Sequence, residues 1–336
     1  MKNAVMKETA LATIDSGEAL DKMLDSWLDG DTDVRAITKA SYRNAVKIFT
    51  KFLRSEGKIL NHETVKEYRN WLTEKPDGDS SKDREYYSTS TARNYFSICR
   101  LFLKWLEGQG ICPNFASNVK TVKLKTNEHA HDTLTLEEAA QVLDHFSNDD
   151  IQSARDKAIL AVLLTCGLRT VEVIRLDVGD MERRNGVWRL KIWGKGRDGK
   201  DARVNLPDET KALIDAYLKL RGKTKKAEPL FTSVSRRNKG ERLQRQTISR
   251  LAKNTFKAVG IESDKVVAHS CRNFAASVAL DCGCSLDEVS KMLRHQSVST
   301  TEIYRQDKIA ENNPATRIVA SALFQKLKEL VRSERL

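Results

Sequence analysis

The chain has 336 residues and carries 58 Lys and Arg against 46 Asp and Glu, a formal net charge of +12 with 31% of residues charged. That length suits two domains, each able to bury its own core, and the basic balance favours a polyanionic partner bound with counterion release. No charged-then-apolar signal segment opens the sequence, and its longest apolar run, around residues 158–166, falls far short of the ~20 residues that cross a bilayer. The six cysteines (Cys99, Cys112, Cys166, Cys271, Cys282 and Cys284) show no Cys-x-x-Cys spacing and read as reduced core residues of a cytoplasmic protein.

Residues 1–15 have little to anchor them. A helix is expected from Ser16, with Leu20, Met23, Leu24, Trp27 and Leu28 on one face. A second is expected over roughly 36–55, carrying Tyr42, Val46, Phe49 and Leu53, and a third near 62–73 with Val65, Tyr68 and Leu72. The polar stretch from Glu74 to Ser90 contains Pro76-Asp77-Gly78-Asp79 and reads as a loop. Another amphipathic helix follows from about Ser90 to Leu106, with Tyr95, Ile98, Phe102 and Trp105. Residues 16–116 thus read as an all-helical domain. Arg43, Lys47, Lys51, Arg93, Arg100 and Lys104 lie on its polar faces, either as contacts to a polyanion or as ordinary solvated helix surface.

Residues 117–132 are basic, lack apolar periodicity and read as an interdomain linker. His129-Ala130-His131 lies within it, but no third or fourth ligand accompanies the pair in register, and no metal site is expected.

A second domain is expected over 133–314, opening with the capping box Thr135-Leu136-Glu137-Glu138. The apolar run from Ala158 to Leu164 reads as a buried helix capped by Gly167, followed by a helix N-capped by Thr170. Arg169 falls at the junction, where backbone N–H groups and a guanidinium can both face an anion. Trp188-Arg189-Leu190-Lys191-Ile192 alternates with period two, as does the run ending Val204-Asn205-Leu206, which makes a β-hairpin with Lys195 near the end of its first strand. Then come His269-Ser270-Cys271-Arg272 and a second capping box from Ser285 to Glu288. Its helix packs Leu286, Val289, Met292 and Leu293 inward and delivers His295 to the following turn. Ile303-Tyr304-Arg305 precedes the breaker Asn312-Asn313-Pro314, and residues 315–336 form a last helix with a stripe of Val319, Leu323, Leu327, Leu330 and Val331.

This order of residues resembles the tyrosine site-specific recombinases, the phage-integrase family that includes the Xer and Cre proteins. The family pattern is Arg, a hairpin Lys, His-x-x-Arg, His or Trp, and Tyr, and the chain offers Arg169, Lys195, His269, Arg272, His295 and Tyr304 in that order. Leu293 to Tyr304 is similar to the family's "LGHSSISTTxxY", and Glu172 looks like the family's acidic residue that buttresses the site. Three positions depart from the pattern: Arg294 replaces a common Gly, Cys271 a common Leu and Asn273 a common His.

The resemblance implies a mainly α fold with a small β-sheet in the catalytic domain, and a two-domain clamp on double-stranded DNA whose helical amino-terminal part is the core-binding domain. It implies a nucleophilic Tyr304, a homotetramer on two DNA sites with the last helix docked on a neighbour, room for an accessory protein that sets direction, and no cofactor, metal or ATP. A nucleoid-associated, prokaryotic setting goes with it. Two alternatives stay open on the residues alone: a DNA topoisomerase using the same nucleophile, and a DNA-binding regulator that keeps the fold without the chemistry.

Overall fold

Side-chain caps and apolar stripes set the helices of both halves. The computed structural model describes residues 17–30, 36–74, 87–123, 132–147, 149–193 and 199–294. The chain divides into two units, 1–128 and 129–336. In the first, α1 (Gly17–Gly30), α2 (Ala36–Ser55), α3 (His62–Trp71) and α4 (Thr89–Gly108) enclose one core. Asn61 caps α3 by accepting from Thr64 N at 2.9 Å, and Ser88 caps α4 by accepting from Thr91 N at 3.3 Å. Most of the residues expected on the inner faces are buried: Leu20, Leu24, Trp27 and Leu28; Val46, Phe49 and Leu53; Val65, Tyr68 and Leu72; Ile98 and Phe102. Met23, Tyr42, Tyr95 and Trp105 are only partly buried, and on α4 the unexpected Phe96 and Leu106 fill the core instead. Aromatic rings meet at its centre, where Tyr68 lies 4.8 Å from Phe49 and 5.4 Å from Phe52 between centroids.

Residues 117–123, expected to belong to a linker, pack on the first unit. After α4 the chain turns through residues 115–118, with Asn118 at φ 62°, and returns Val119 and Val122 to the core of this unit, both buried. Two valines three residues apart suffice to hold such a segment down, a signal too short for a periodicity argument to register. Residues 124–131, with His129 and His131, lie outside the described residues.

The second unit is built around α6 (Ile151–Cys166), against which α5 (Leu136–Asp144), α8 (Asp208–Arg221), α9 (Arg245–Ala258) and α10 (Ser270–Asp281) pack. Asp150 caps α6 with two bonds of 2.9 Å to Gln152 N and Ser153 N. The helix has no polar side in its second half: Ala158 to Leu164 are all buried. Its one buried charge pair, Arg155 and Asp156, is closed at 2.6 Å, with the guanidinium also donating to Thr232 O at 3.1 Å. Burial pushes the Asp156 carboxyl up, opposed by Arg155. The expected capping boxes at Thr135 and Ser285 both form, the second opening α11 (Leu286–Leu293).

The sheet has three strands, β1 (Met181–Arg184), β2 (Val187–Ile192) and β3 (Ala202–Asn205), in antiparallel order β1-β2-β3. β2 and β3 are the expected hairpin, with Ile192 opposite Ala202. β1 was not expected, because Met181-Glu182-Arg183-Arg184 has a single apolar residue. It is joined to β2 by Asn185-Gly186, both at positive φ (51° and 80°), the two-residue turn that matches strand twist. Four cysteines, Cys99, Cys112, Cys166 and Cys271, are buried as expected. Cys282 and Cys284 are exposed, because they sit in the turn between α10 and α11.

Three substitutions test these placements. Val122→Asp moves a carboxylate into the first core and is expected to destabilise that unit by ~3 kcal/mol or more. Urea unfolding followed by tryptophan fluorescence reads this, and an unchanged midpoint would return residues 117–123 to a free linker. Gly167 ends α6 at φ 57°, and a Cβ there would lie 2.7 Å from Leu293 Cδ2. Gly167→Ala is therefore expected to cost ~1–3 kcal/mol in the same assay, whereas Gly110→Ala, at φ 69° in open space, meets only the backbone preference and should cost less.

Candidate active site

The site is organised by the turn between α6 and α7 (Thr170–Ile174). Gly167 leaves α6 in the left-handed conformation, Leu168 is buried, and Arg169 takes the N-cap position. The cap expected at Thr170 is thus one residue earlier: Thr170 is the first helical residue, and Glu172 at the third helical position accepts from Arg169 N at 2.8 Å. A carboxylate three residues after the cap serves an otherwise unpaired N–H, as in a capping box.

Glu172 does more than cap. Its carboxylate is fully buried, and besides the backbone bond it accepts from Arg169 Nη1 at 3.1 Å and from Arg294 Nη2 at 2.7 Å. Burial alone would raise its pKa; the Arg294 and Arg169 guanidiniums and the Arg169 backbone N–H overcome that and hold the carboxyl below its usual range. Arg294 ends α11 in the left-handed region (φ 56°, ψ 44°), and its Nη1 donates to Met292 O at 2.6 Å.

Arg272 lies in the first turn of α10 and is the largest of the fully buried side chains. It donates from Nη1 to Gly167 O and from Nη2 to Leu293 O. Those carbonyls belong to the residues at the ends of α6 and α11, so one guanidinium ties three helix ends together. Ser270 is buried beside it, accepting from Val267 N at 3.1 Å, and His269 stands at the N-cap of α10 with an exposed side chain.

Of the sequence-predicted site residues, Arg169, Glu172 and Arg272 therefore meet at one junction, with His269 one turn before Arg272. Lys195, His295 and Tyr304 lie outside the described residues, as does the stripe from Val319 to Val331. Arg294, read from the sequence only as a departure from a family Gly, belongs to the junction.

A second cluster escaped the sequence reading altogether. Lys200 bonds Asp177 at 2.6 Å and also Asp180, while Arg242 donates to Ile174 O at 2.7 Å, to Leu176 O at 3.1 Å and to Asp177. It fastens the end of α7 to the approach to β3 and to the segment before α9. Its oppositely charged partners are 20 to 65 residues apart, so no local pattern announces them.

In the first unit, Lys47 and Lys51 are exposed on α2, and Arg93, Arg100 and Lys104 are exposed on α4. Arg43 differs, being held by Asp25 at 2.7 Å. Among the described residues no helix is long and apolar enough to cross a membrane.

Comparison with known proteins agrees with this arrangement. Residues 132–311 match the phage integrase family, and residues 24–110 match the phage integrase N-terminal SAM-like domain. Tyrosine recombinase XerC of Thermodesulfovibrio yellowstonii is 28% identical over 275 residues, covering 80% of this chain and 84% of its own. Two solved structures share the fold. The XerH site-specific recombinase bound to palindromic difH substrate has a TM-score of 0.69 at 18% identity, over 89% of this chain and 85% of XerH. A lambda integrase tetramer bound to a Holliday junction has a TM-score of 0.63 at 16% identity, over 85% and 76% respectively. With the family match spanning the second unit from before α5 to beyond α11, this chain belongs to the phage integrase family, the tyrosine recombinases.

Proposed function

We propose that this chain is a site-specific DNA recombinase that cleaves and rejoins strands through a 3′-phosphotyrosyl link at Tyr304, without metal or ATP. The observation that carries the reading is the junction of Arg169 and Arg272. In a chain of this family, two guanidiniums are fixed at one place, the first by Glu172 and the second by the carbonyls of Gly167 and Leu293. Donors held in place before reaction stabilise developing charge without reorganisation, and planar guanidiniums suit paired phosphate oxygens.

In the proposed reaction the Tyr304 oxygen attacks the scissile phosphorus and its proton passes to His269. The bond to the 5′ oxygen breaks, and Lys195 protonates that leaving group. Arg169, Arg272 and His295 bind the nonbridging oxygens and stabilise the charge that grows on them. The bond energy is kept in the phosphotyrosyl ester, so a 5′-hydroxyl from a partner strand reseals it by the reverse step. A tyrosine of ordinary pKa near 10 needs such a field to act at neutral pH. The assembly we propose is a homotetramer on two DNA sites, with Lys47, Lys51, Arg93, Arg100 and Lys104 of the first unit among its phosphate contacts; the lambda integrase tetramer on a Holliday junction has the same fold.

Nicked suicide substrates carrying candidate sites from the DNA flanking the gene test the reading. Wild-type protein is expected to become covalently attached to one of them, while Tyr304→Phe binds the same DNA with similar affinity and forms no adduct. An adduct in that variant would move the nucleophile elsewhere, and supercoil relaxation without exchange between duplexes would favour a topoisomerase.

Cleavage is further expected to continue in excess chelator, since the groups at the phosphate are arginines and a lysine, and each Arg→Ala change should slow it ~10²- to 10³-fold. Strict dependence on a divalent ion would replace this mechanism with a metal-assisted one.

A further inference from the structure

Arg294 occupies a place where the backbone asks for glycine. It follows α11 at φ 56° and ψ 44°, the left-handed conformation that commonly ends helices and that L side chains adopt at a cost. A second cost accompanies it: Arg294 Nε is buried with no hydrogen-bond partner among the described residues. Two local penalties on one side chain call for a compensating interaction, and the compensation is specific. Nη2 reaches Glu172 at 2.7 Å and Nη1 reaches Met292 O at 2.6 Å, so the guanidinium spans from the end of its own helix to the carboxylate that orients Arg169.

We propose that Arg294 is a positioning residue that acts through Glu172 on Arg169, coupling the end of α11 to the phosphate-facing arginine of the α6–α7 turn. The inference rests on the recombinase reading only for the step it positions. The coupling itself is a matter of three side chains, Arg169–Glu172–Arg294, sharing one buried carboxylate. Glu172 Oε2 is divided between Arg169 N and Arg294 Nη2, while Oε1 takes Arg169 Nη1. Removing Arg294 leaves the carboxylate free to turn within the site and carry the Arg169 fork with it.

Charge follows the same geometry. Glu172 faces Arg169 from the α6–α7 turn and Arg294 from the end of α11; the Cys166 thiol of α6 also faces Arg294, and Arg272 of α10 reaches the junction at Gly167 and Leu293. With Arg294 present, the folded-state pKa of Glu172 is depressed, so the stability from its ionised form exists above the unfolded value and is lost as pH falls through the folded one. Without Arg294, burial is opposed by Arg169 alone and the folded pKa rises. Protonation, and with it the loss of a fixed Arg169, then begins at higher pH.

The test compares wild type with Arg294→Gly, which suits the left-handed backbone and so should fold, and with Arg294→Lys, which keeps the charge but cannot span both acceptors. Single-turnover adduct formation on a suicide substrate, DNA affinity by gel shift, and the pH profile of cleavage are measured on the full chain. Arg294→Gly is expected to keep DNA affinity within about twofold, to slow adduct formation roughly 10- to 100-fold, and to move the acid limb of the rate to higher pH. Arg294→Lys should restore most of the acid limb and only part of the rate. In a Glu172→Gln background, adding Arg294→Gly should slow cleavage little further.

An unchanged rate and acid limb in Arg294→Gly, or effects that simply multiply with those of Glu172→Gln, would overturn the proposal. If wild type itself forms no adduct on any site, it is the recombinase reading that fails, and acid unfolding then decides the coupling. Arg294→Gly should lose stability at a higher pH than wild type, whereas coincident curves would overturn it.

Discussion

The catalytic unit depends on one fully buried carboxylate. Glu172 has no exposed surface and accepts from Arg169, through backbone and guanidinium, and from Arg294. A charge taken out of water is tolerated only when paired and hydrogen-bonded, and removing one partner of such a pair costs on the order of 3–5 kcal/mol. Two segments 122 residues apart are therefore held at one point by a requirement of desolvation. The same point receives Arg272, whose donors satisfy the carbonyl of Gly167, where α6 ends, and that of Leu293 at the end of α11. Carbonyls at helix ends lack partners in their own helix, so a buried guanidinium and two helix termini meet each other's needs.

That arrangement needs a rigid backing, and α6 supplies it. The run from Ala158 to Leu164 is buried on every side and holds α6 in place, and the helix's left-handed exit at Gly167 fixes where Arg169 emerges. The space at Gly167 is filled by Leu293 and Ala275, so α10 and α11 close on the turn with no room for a side chain. On the other side, Lys200 and Arg242 fasten the residues after α7 to the sheet and to the approach to α9. Arg169 and Arg272 are thus held by the packing of helices on one another, the condition under which the role proposed for them toward a phosphate would be effective.

The amino-terminal unit follows a simpler logic. Its described helices turn aromatic and aliphatic faces inward and leave Lys47 and Lys51 on α2, and Arg93, Arg100 and Lys104 on α4, in solvent. Such charges contribute little to stability, and in a chain of net charge +12 they are available to neutralise phosphates. Arg43 is the exception, because its guanidinium is already engaged by Asp25. Each unit has its own core, and each presents a different chemistry: the first, side chains that carry charge; the second, side chains that fix it.

Much of this was legible in the sequence. Two helix starts followed from capping boxes that act over three residues, at Thr135 and Ser285, and other helices from stripes repeating every three or four, whereas the caps at Asn61 and Asp150 emerged only in the structure. The family motif located Arg169, Glu172, His269 and Arg272. What escaped lacked a local pattern or carried one too short to register. The strand Met181–Arg184 is polar and is declared mainly by its Asn185-Gly186 turn, and Val119 with Val122 makes too brief a signal to predict burial.

The cluster of Asp177, Asp180, Lys200 and Arg242 forms only when distant segments arrive together. Arg294 is the clearest case. Its backbone conformation is a local matter, set by the helix end, and glycine would serve it. The partner of its side chain lies 122 residues earlier and became its partner only once both were removed from water. Sequence determined the elements and the residue types because those obey short-range geometry; the tertiary structure decided which charges share a carboxylate, because desolvation acts on neighbours in space.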